Sequence, residues 1–407
     1  MIDRRSETRA VTGIASPYPP DRAARPEDPR GPSSRRRWLA GRVGGLALVG
    51  VALGAALDLG CAPEEDLRGP VLRALADLGI AQSGELAAES GSLAGAVEAL
   101  CAAPSAATQD EALARWSAAH GAWAQLAPLA LGPEAEHAAS IDFWPARVDT
   151  VEATVTAAAA ASIDDAYVDG LGASAKGLPV LEYLLFGEGT DGGDPAAALA
   201  ALTAPTTGAV RCAYAAALAR DLEERSMAIA DAWAGSFAET LASAGEGSTL
   251  YASRKEGIDA VVNQSIAALA VAVKAELDAP LGNLSGAPPD PALLRARFAG
   301  DAREALAAEL RGVWAVYHGA DPEASATGIS VLVAAIDVDL DGRVRDQYAF
   351  TRAAVDALPE PQGSSLVGDR DPFQAARDEL DALRRSIKLD VASALGVTLS
   401  LSDNDGD

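Results

Sequence analysis

Apolar residues recur at every third or fourth position through most of this 407-residue chain, and no stretch alternates with period two for long enough to make a sheet. That periodicity restricts the fold to packed helices. Thr108-Gln109-Asp110-Glu111 reads as a capping box opening a helix. Leu113, Trp116, His120 and Trp123 then follow on one face. A second helix spans Cys212 to Ala242, with Leu222, Ile229, Trp233, Phe237 and Leu241 on its apolar stripe. Ile258, Val262, Ile266, Leu269, Val273 and Leu277 mark a third. Further helices are predicted over 293–317, 329–336, 340–358 and 372–395. Gly and Pro mark the breaks, at Ala103-Pro104, Gly132-Pro133, 189–195, 279–291 and 359–363. The predicted fold class is all-α: two antiparallel helical bundles packed together.

The N-terminus reads as a targeting segment. Residues 1–33 are rich in Arg, Pro and Asp, a composition that predicts disorder. The cationic string Ser34-Arg35-Arg36-Arg37-Trp38-Leu39 follows, and then an uncharged run from Val43 to Leu57. That run is about 15 residues, short of the roughly 20 that span a bilayer. The order of charge, apolar run and small residue is that of a signal peptide. The Arg pair resembles a twin-arginine export signal. Leu57-Asp58-Leu59-Gly60-Cys61 resembles a lipoprotein cleavage box, in which Cys61 would be acylated. Asp58 departs from the usual pattern of such boxes, and a plain cleaved signal or an uncleaved anchor are the alternatives. The predicted organisation is a targeting segment at 1–60, a first bundle at 61–205, a second at 206–398 and a loose acidic tail at 399–407. The predicted location is the periplasm or cell envelope, with the membrane as partner through Cys61.

With 33 basic and 58 acidic side chains the formal net charge is −25, which repels nucleic acid. No nucleic-acid partner is expected. Cys101 and Cys212 remain after Cys61; in an oxidising compartment they either pair or stay as separate buried thiols. His120, His137 and His318 are the three histidines, so any metal site must lean on carboxylates.

Three stretches together resemble the imelysin family of envelope proteins, grouped as imelysin-type peptidases and iron-regulated proteins. The first runs from Trp123 through Gly132-Pro133 to Ile141-Asp142-Phe143-Trp144-Pro145. The second is Lys176-Gly177-Leu178-Pro179-Val180-Leu181-Glu182-Tyr183-Leu184-Leu185-Phe186-Gly187. The third runs from Leu277-Asp278-Ala279-Pro280-Leu281-Gly282 to Leu310-Arg311-Gly312-Val313-Trp314-Ala315-Val316-Tyr317. The family's signature is Gly-x-His-x-x-Glu; Gly177 and Glu182 match it, and Pro179 stands where the His belongs. The resemblance implies two helical bundles with a site between them, an envelope location and, for several branches, a link to iron uptake. In members that carry the His, the signature has been read as a metal site.

The residues of this segment also have a reading of their own. Pro179 suits the first turn of a helix, where its missing N–H costs nothing. Leu181, Leu184 and Leu185 supply a buried stripe. Glu182 lies near the helix start and needs a partner if buried, with Arg147 or Arg254 as candidates. It is either a structural ion pair or a site carboxylate. Imidazole is a usual zinc and iron ligand, and Pro offers no donor. A catalytic zinc needs about three protein ligands, so peptidase activity by the family's presumed mechanism is doubtful. A carboxylate site for iron or another divalent cation would draw on Glu182 and Asp142, with Asp149 or Glu188 and with His137, which follows Glu134 and Glu136. Trp144 and Arg147 complete the candidate binding set.

Asp337-Val338-Asp339-Leu340-Asp341-Gly342 imitates a calcium loop, but Tyr348 stands where the bidentate Glu belongs, so a helix junction is expected. His120 is read as a core or domain-contact residue, and His318 as the end of a helix before Gly319. The favoured functional reading is a non-peptidase binding or accessory protein of the envelope, acting with iron-uptake or other envelope proteins. The alternatives are a metallopeptidase with a non-standard ligand set and a protein-binding scaffold.

Overall fold

Helix after helix builds the chain, because almost every apolar stripe read from the sequence finds another to pack on. The computed structural model describes residues 66–158, 162–189 and 191–400. The targeting segment, Cys61 and the tail beyond Ser400 lie outside the described residues. The helices are α1 (Arg68–Ala102), α2 (Ala106–Leu126), α3 (Ala138–Ile141), α4 (Val148–Ala157), α5 (Asp165–Asp169) and α6 (Leu178–Phe186). They continue with α7 (Pro195–Leu202), α8 (Gly208–Ala232), α9 (Ala238–Ala242), α10 (Arg254–Val271), α11 (Ala279–Leu281) and α12 (Ala302–Tyr317). The last are α13 (Ile329–Ile336), α14 (Val338–Asp356), α15 (Gln362–Gly368), α16 (Asp371–Arg385) and α17 (Ala392–Leu395). No strand occurs among the described residues, which all fall in one compact unit.

One group of helices is built on α1, which packs against α2 and α8, with α6 bridging α2 and α8. The other is built from α10, α12, α14 and α16. The α2–α12 contact joins the two, and there Gly312 allows an approach that a Cβ would prevent, at 2.2 Å from the Gln125 carbonyl oxygen. Helix α8 begins just beyond position 205 and packs along α1, with the N-terminal group.

Three long helices carry a wide turn: Trp233–Phe237 after α8, Ala272–Asp278 after α10 and Ser386–Val391 after α16 are π-helical. Such bulges add a residue to a helix and are frequent at functional sites. The second of them holds Glu276, which becomes important below. The Arg254–Leu281 helix is long and apolar enough to cross a membrane, but 56% of that window is buried against its neighbours, as in a core helix.

Several expectations need correction. The helix at 106 is capped by Ser105, whose side chain accepts from Thr108 N, so Thr108 is the third residue of the box and not its start. The helix predicted from 293 begins at Ala302; residues 294–301 form turns instead. Helix α1 was not predicted at all. The calcium-like string is a helix junction, as expected: Asp337 caps Asp339 and Leu340, and Asp341 accepts from Tyr317, Ser330 and Arg345.

Cys101 and Cys212 form a disulfide between α1 and α8, with Cα atoms 5.4 Å apart at a sequence separation of 111. It ties the two longest helices of the first group. A closure of this length restricts the unfolded chain strongly, so replacing both cysteines by serine should lower unfolding free energy by about 2–4 kcal/mol. Urea denaturation of the oxidised protein and the double variant measures this; coincident midpoints would mean the bond contributes nothing.

Candidate functional site

The Gly-x-Pro-x-x-Glu segment opens α6 and is buried. Gly177 has φ +83°, and a Cβ there would sit 2.4 Å from the Ile141 carbonyl oxygen, so only glycine fits both the dihedral and the contact with α3. Pro179 lies in the first turn of α6, as its missing N–H predicts. The Leu178 carbonyl accepts from Trp116 Nε1 at 2.9 Å, which fixes α6 on α2.

Glu182 is 1% exposed. Its Oε1 accepts from the backbone N–H groups of Phe298 (2.6 Å) and Ala299 (3.0 Å). The partner is therefore not Arg147 or Arg254. Arg254 pairs with Asp66 at 2.7 Å and with Glu246, and Arg147 is exposed ahead of α4. Burial pushes the Glu182 carboxyl up to about 8; the Ala299 and Phe298 N–H groups and Arg297 oppose this without overcoming it. Desolvation wins, so Glu182 carries a proton at neutral pH.

Next to Glu182 lies a buried ionic cluster that the sequence did not reveal as a unit. Arg295 is at its centre. Its guanidinium pairs with Asp142, and with Glu276 at 2.7 Å. Its Nε donates to His120 Nε2 at 3.4 Å. Asp142 also accepts from Trp123 Nε1 at 3.0 Å. His120 stacks on Trp116 with ring centroids 4.8 Å apart. Burial, aided by Arg295 and opposed by Asp142, lowers His120 to about 4, so the imidazole is neutral and accepts from Arg295.

Glu276 and Glu309 are both held above the usual carboxylate range, first by burial, with Glu309 pushed further by the charge of Glu276. Glu276 Oε2 and Glu309 Oε1 are buried without a hydrogen-bond partner, and one proton shared by the two carboxyls would satisfy both. Arg295 stays charged because its attraction to Asp142, Glu276 and Glu309 outweighs the burial that alone would lower it.

The remaining candidates are dispersed. Trp144 donates Nε1 to the Leu293 carbonyl at 3.4 Å, anchoring the loop before the Arg295 turn. Glu134, fully buried, accepts from Trp233 Nε1 and from Gly132 N, and so is committed elsewhere than to His137. His137 is half-buried with an unpartnered Nδ1. Glu188 is exposed and faces Arg297 at 3.7 Å, and Asp149 is exposed. Among the described residues no three His, Cys, Asp or Glu side chains converge to hold a metal ion. The donor chemistry agrees: Glu182 is bound to backbone N–H groups, Asp142 to Arg295 and Trp123, and Pro179 donates nothing. The residues present do not fit a bound metal at this segment.

Arg295, Glu276 and Glu309 are the residues that sequence reasoning missed. A signal was present. Glu276 and Glu309 each interrupt an apolar stripe, in Ala275-Glu276-Leu277 and Ala308-Glu309-Leu310, and a carboxylate on a buried face needs a cationic partner.

The helical architecture and this motif together point to one family, and its model, imelysin (peptidase M75), matches residues 80–389. The chain belongs to the imelysin family. Two solved structures share the fold. One is a provisionally named iron-regulated protein A precursor from Parabacteroides distasonis ATCC 8503, with a TM-score of 0.70, 18% identity, and coverage of 83% of this chain and 97% of that one. The other is an imelysin-like protein from Psychrobacter arcticum 273-4, with a TM-score of 0.64, 20% identity, and coverage of 82% and 97%. No curated protein matches the sequence. For this imelysin-family chain, the signature segment is the buried seam where α6 meets the turn at 294–301.

Proposed function

We propose that this imelysin-family protein is an exported envelope protein that works by binding, as an accessory component of iron acquisition, and not as a peptidase. One observation carries the reading: Glu182, the acid of the family signature, is buried and tied to the Phe298 and Ala299 N–H groups, and burial pushes its carboxyl up to about 8. A carboxyl in that state is a strut between two parts of the fold. It has neither the charge nor the free oxygen pair of a metal ligand or general base. The signal-like N-terminus and Cys61 support export and a lipid anchor. The word "iron-regulated" in the Parabacteroides relative's name supports the connection to iron.

The test is incubation of the full chain with unfolded protein substrates, with and without a metal chelator. No cleavage above background is expected. Cleavage that the chelator abolishes would overturn the proposal in favour of a metallopeptidase with another ligand set.

A further inference from the structure

A cleft between α1, α12 and α14 lies outside the signature segment. Its main cavity has a volume of about 550 Å³, within the range of small-molecule pockets. A second cavity of about 340 Å³ continues it toward Ser117 and His120. Glu85, Gln125, Glu304 and Arg311 line both, so they form the neck. None of Gly177, Pro179 and Glu182 lines either cavity.

The wall of the main cavity is apolar, with Leu78, Leu310, Trp314 and Val355 along it. Trp314 is locked in place by stacking on Tyr348 (4.3 Å) and on His318 (5.0 Å). Most charges around the cleft are already committed. Asp356 faces Arg352 at 3.5 Å, Glu304 faces Arg303 at 3.5 Å, Glu89 faces Arg115 at 3.8 Å, and Asp301 accepts from Ser117 at 2.6 Å. Two are not: among the described residues Arg311 and Glu85 form no ion pair, with each other or with any other group.

Gln82 supplies the independent observation. It stands one helical turn before Glu85 and is 7% exposed, yet its Oε1 is buried with no hydrogen-bond partner. An unpaired buried amide is costly, on the order of 1–3 kcal/mol, unless something else fills the role. Its side chain lines the main cavity. Tyr348 also lines the cavity, and its hydroxyl has no hydrogen-bond partner among the described residues.

We propose that this cleft binds a free α-amino acid with a large apolar side chain. The carboxylate pairs with Arg311 and accepts from Tyr348. The ammonium pairs with Glu85 and donates to Gln82 Oε1. The side chain lies on the wall of Leu78, Leu310 and Trp314. Opposite charges supplied by two facing helices, with an apolar wall between them, select a zwitterion over a simple anion or cation. This rests on the binding reading above, and the two fail separately: chelator-sensitive cleavage would overturn the reading of Glu182, whereas the titration below judges the cleft alone.

The test is isothermal titration of the full chain with L-phenylalanine, phenethylamine, which lacks the carboxylate, and 3-phenylpropanoate, which lacks the ammonium. L-Phenylalanine is expected to bind at least about tenfold more tightly than either analogue, a difference of about 1.4 kcal/mol. Arg311→Gln should erase the preference over phenethylamine, and Glu85→Gln the preference over 3-phenylpropanoate. Both side chains are exposed, so the variants should melt like the parent, which a thermal scan verifies. No binding of L-phenylalanine, equal binding of all three compounds, or unchanged selectivity in both variants would overturn the proposal.

Discussion

Replacing Arg295 with methionine is expected to remove about 3–5 kcal/mol of unfolding free energy, the usual consequence of taking one partner from a buried ionic cluster. Methionine fills much of the volume, so the loss reports charge and not a cavity. Without the guanidinium, Asp142 and Glu276 lose the cation that compensates their burial, and His120 Nε2 loses its donor. The deficit should grow with pH. Burial already holds Glu276 and Glu309 above the usual carboxylate range. A folded-state pKa above the unfolded one gives stability that is present at low pH and lost as pH rises through the folded value. Removing Arg295 raises those values further and enlarges that loss. Urea unfolding at pH 5 and pH 8 measures both parts. A variant that matches the parent at both pH values would mean that the cluster contributes nothing to folding. Replacing the cluster as a whole by apolar residues is a different experiment, since such exchanges are often neutral or stabilising.

The second large effect belongs to Glu182. Its carboxyl is lifted from 4.5 to about 8 in the folded protein. The folded state therefore binds a proton that the unfolded state releases, and this contribution to stability is fully present below the unfolded value and disappears as pH rises toward about 8. The slope from this one group approaches about 1.4 kcal/mol per pH unit inside that window. Glu182→Gln keeps the carbonyl that accepts from Phe298 and Ala299 and removes the titration. The variant should match the parent near pH 5 and exceed it by a few kcal/mol at pH 8, an order of magnitude set by the same slope. Unfolding midpoints across that range test this, and parallel pH profiles for the two proteins would contradict it.

The helices with large apolar residues were legible. Trp116, His120 and Trp123 repeat on α2, and Ile258 to Leu277 on α10 and its continuation, so their buried faces follow from spacing alone. Helix α1 escaped although Leu72, Leu75, Leu86, Leu93 and Leu100 repeat on its inner face, because glycines and serines are interspersed among them. Gly79 is needed where the Trp233 ring presses against it, since a Cβ there would lie 2.2 Å from the ring, and Gly69 faces the Arg254 guanidinium. Glycines in such a run read as breaks when they are contact points. The turn at 294–301 escaped for the opposite reason. Its local sequence suits a helix, yet Ala296 takes φ +48° and Gly300 φ +73°, which bends the chain. That bend presents the Phe298 and Ala299 N–H groups to Glu182 and swings Arg295 into the acid cluster. A need 116 positions away in sequence overrode local propensity, and nothing within the turn announces it. The signature segment itself was visible, and its helical start at Pro179 follows from the sequence. The partner of Glu182 did not, because backbone donors leave no residue-type signal.

The proposed role of the signature carboxyl is that of a structural strut and not of a metal ligand. Calorimetric titration of the full chain and of Glu182→Gln with ferrous, ferric and zinc ions tests it most directly. The two proteins should give the same isotherm with each ion, since the buried Glu182 carboxyl is already engaged by the Phe298 and Ala299 N–H groups. Uptake of any of these ions that disappears in Glu182→Gln would contradict the account.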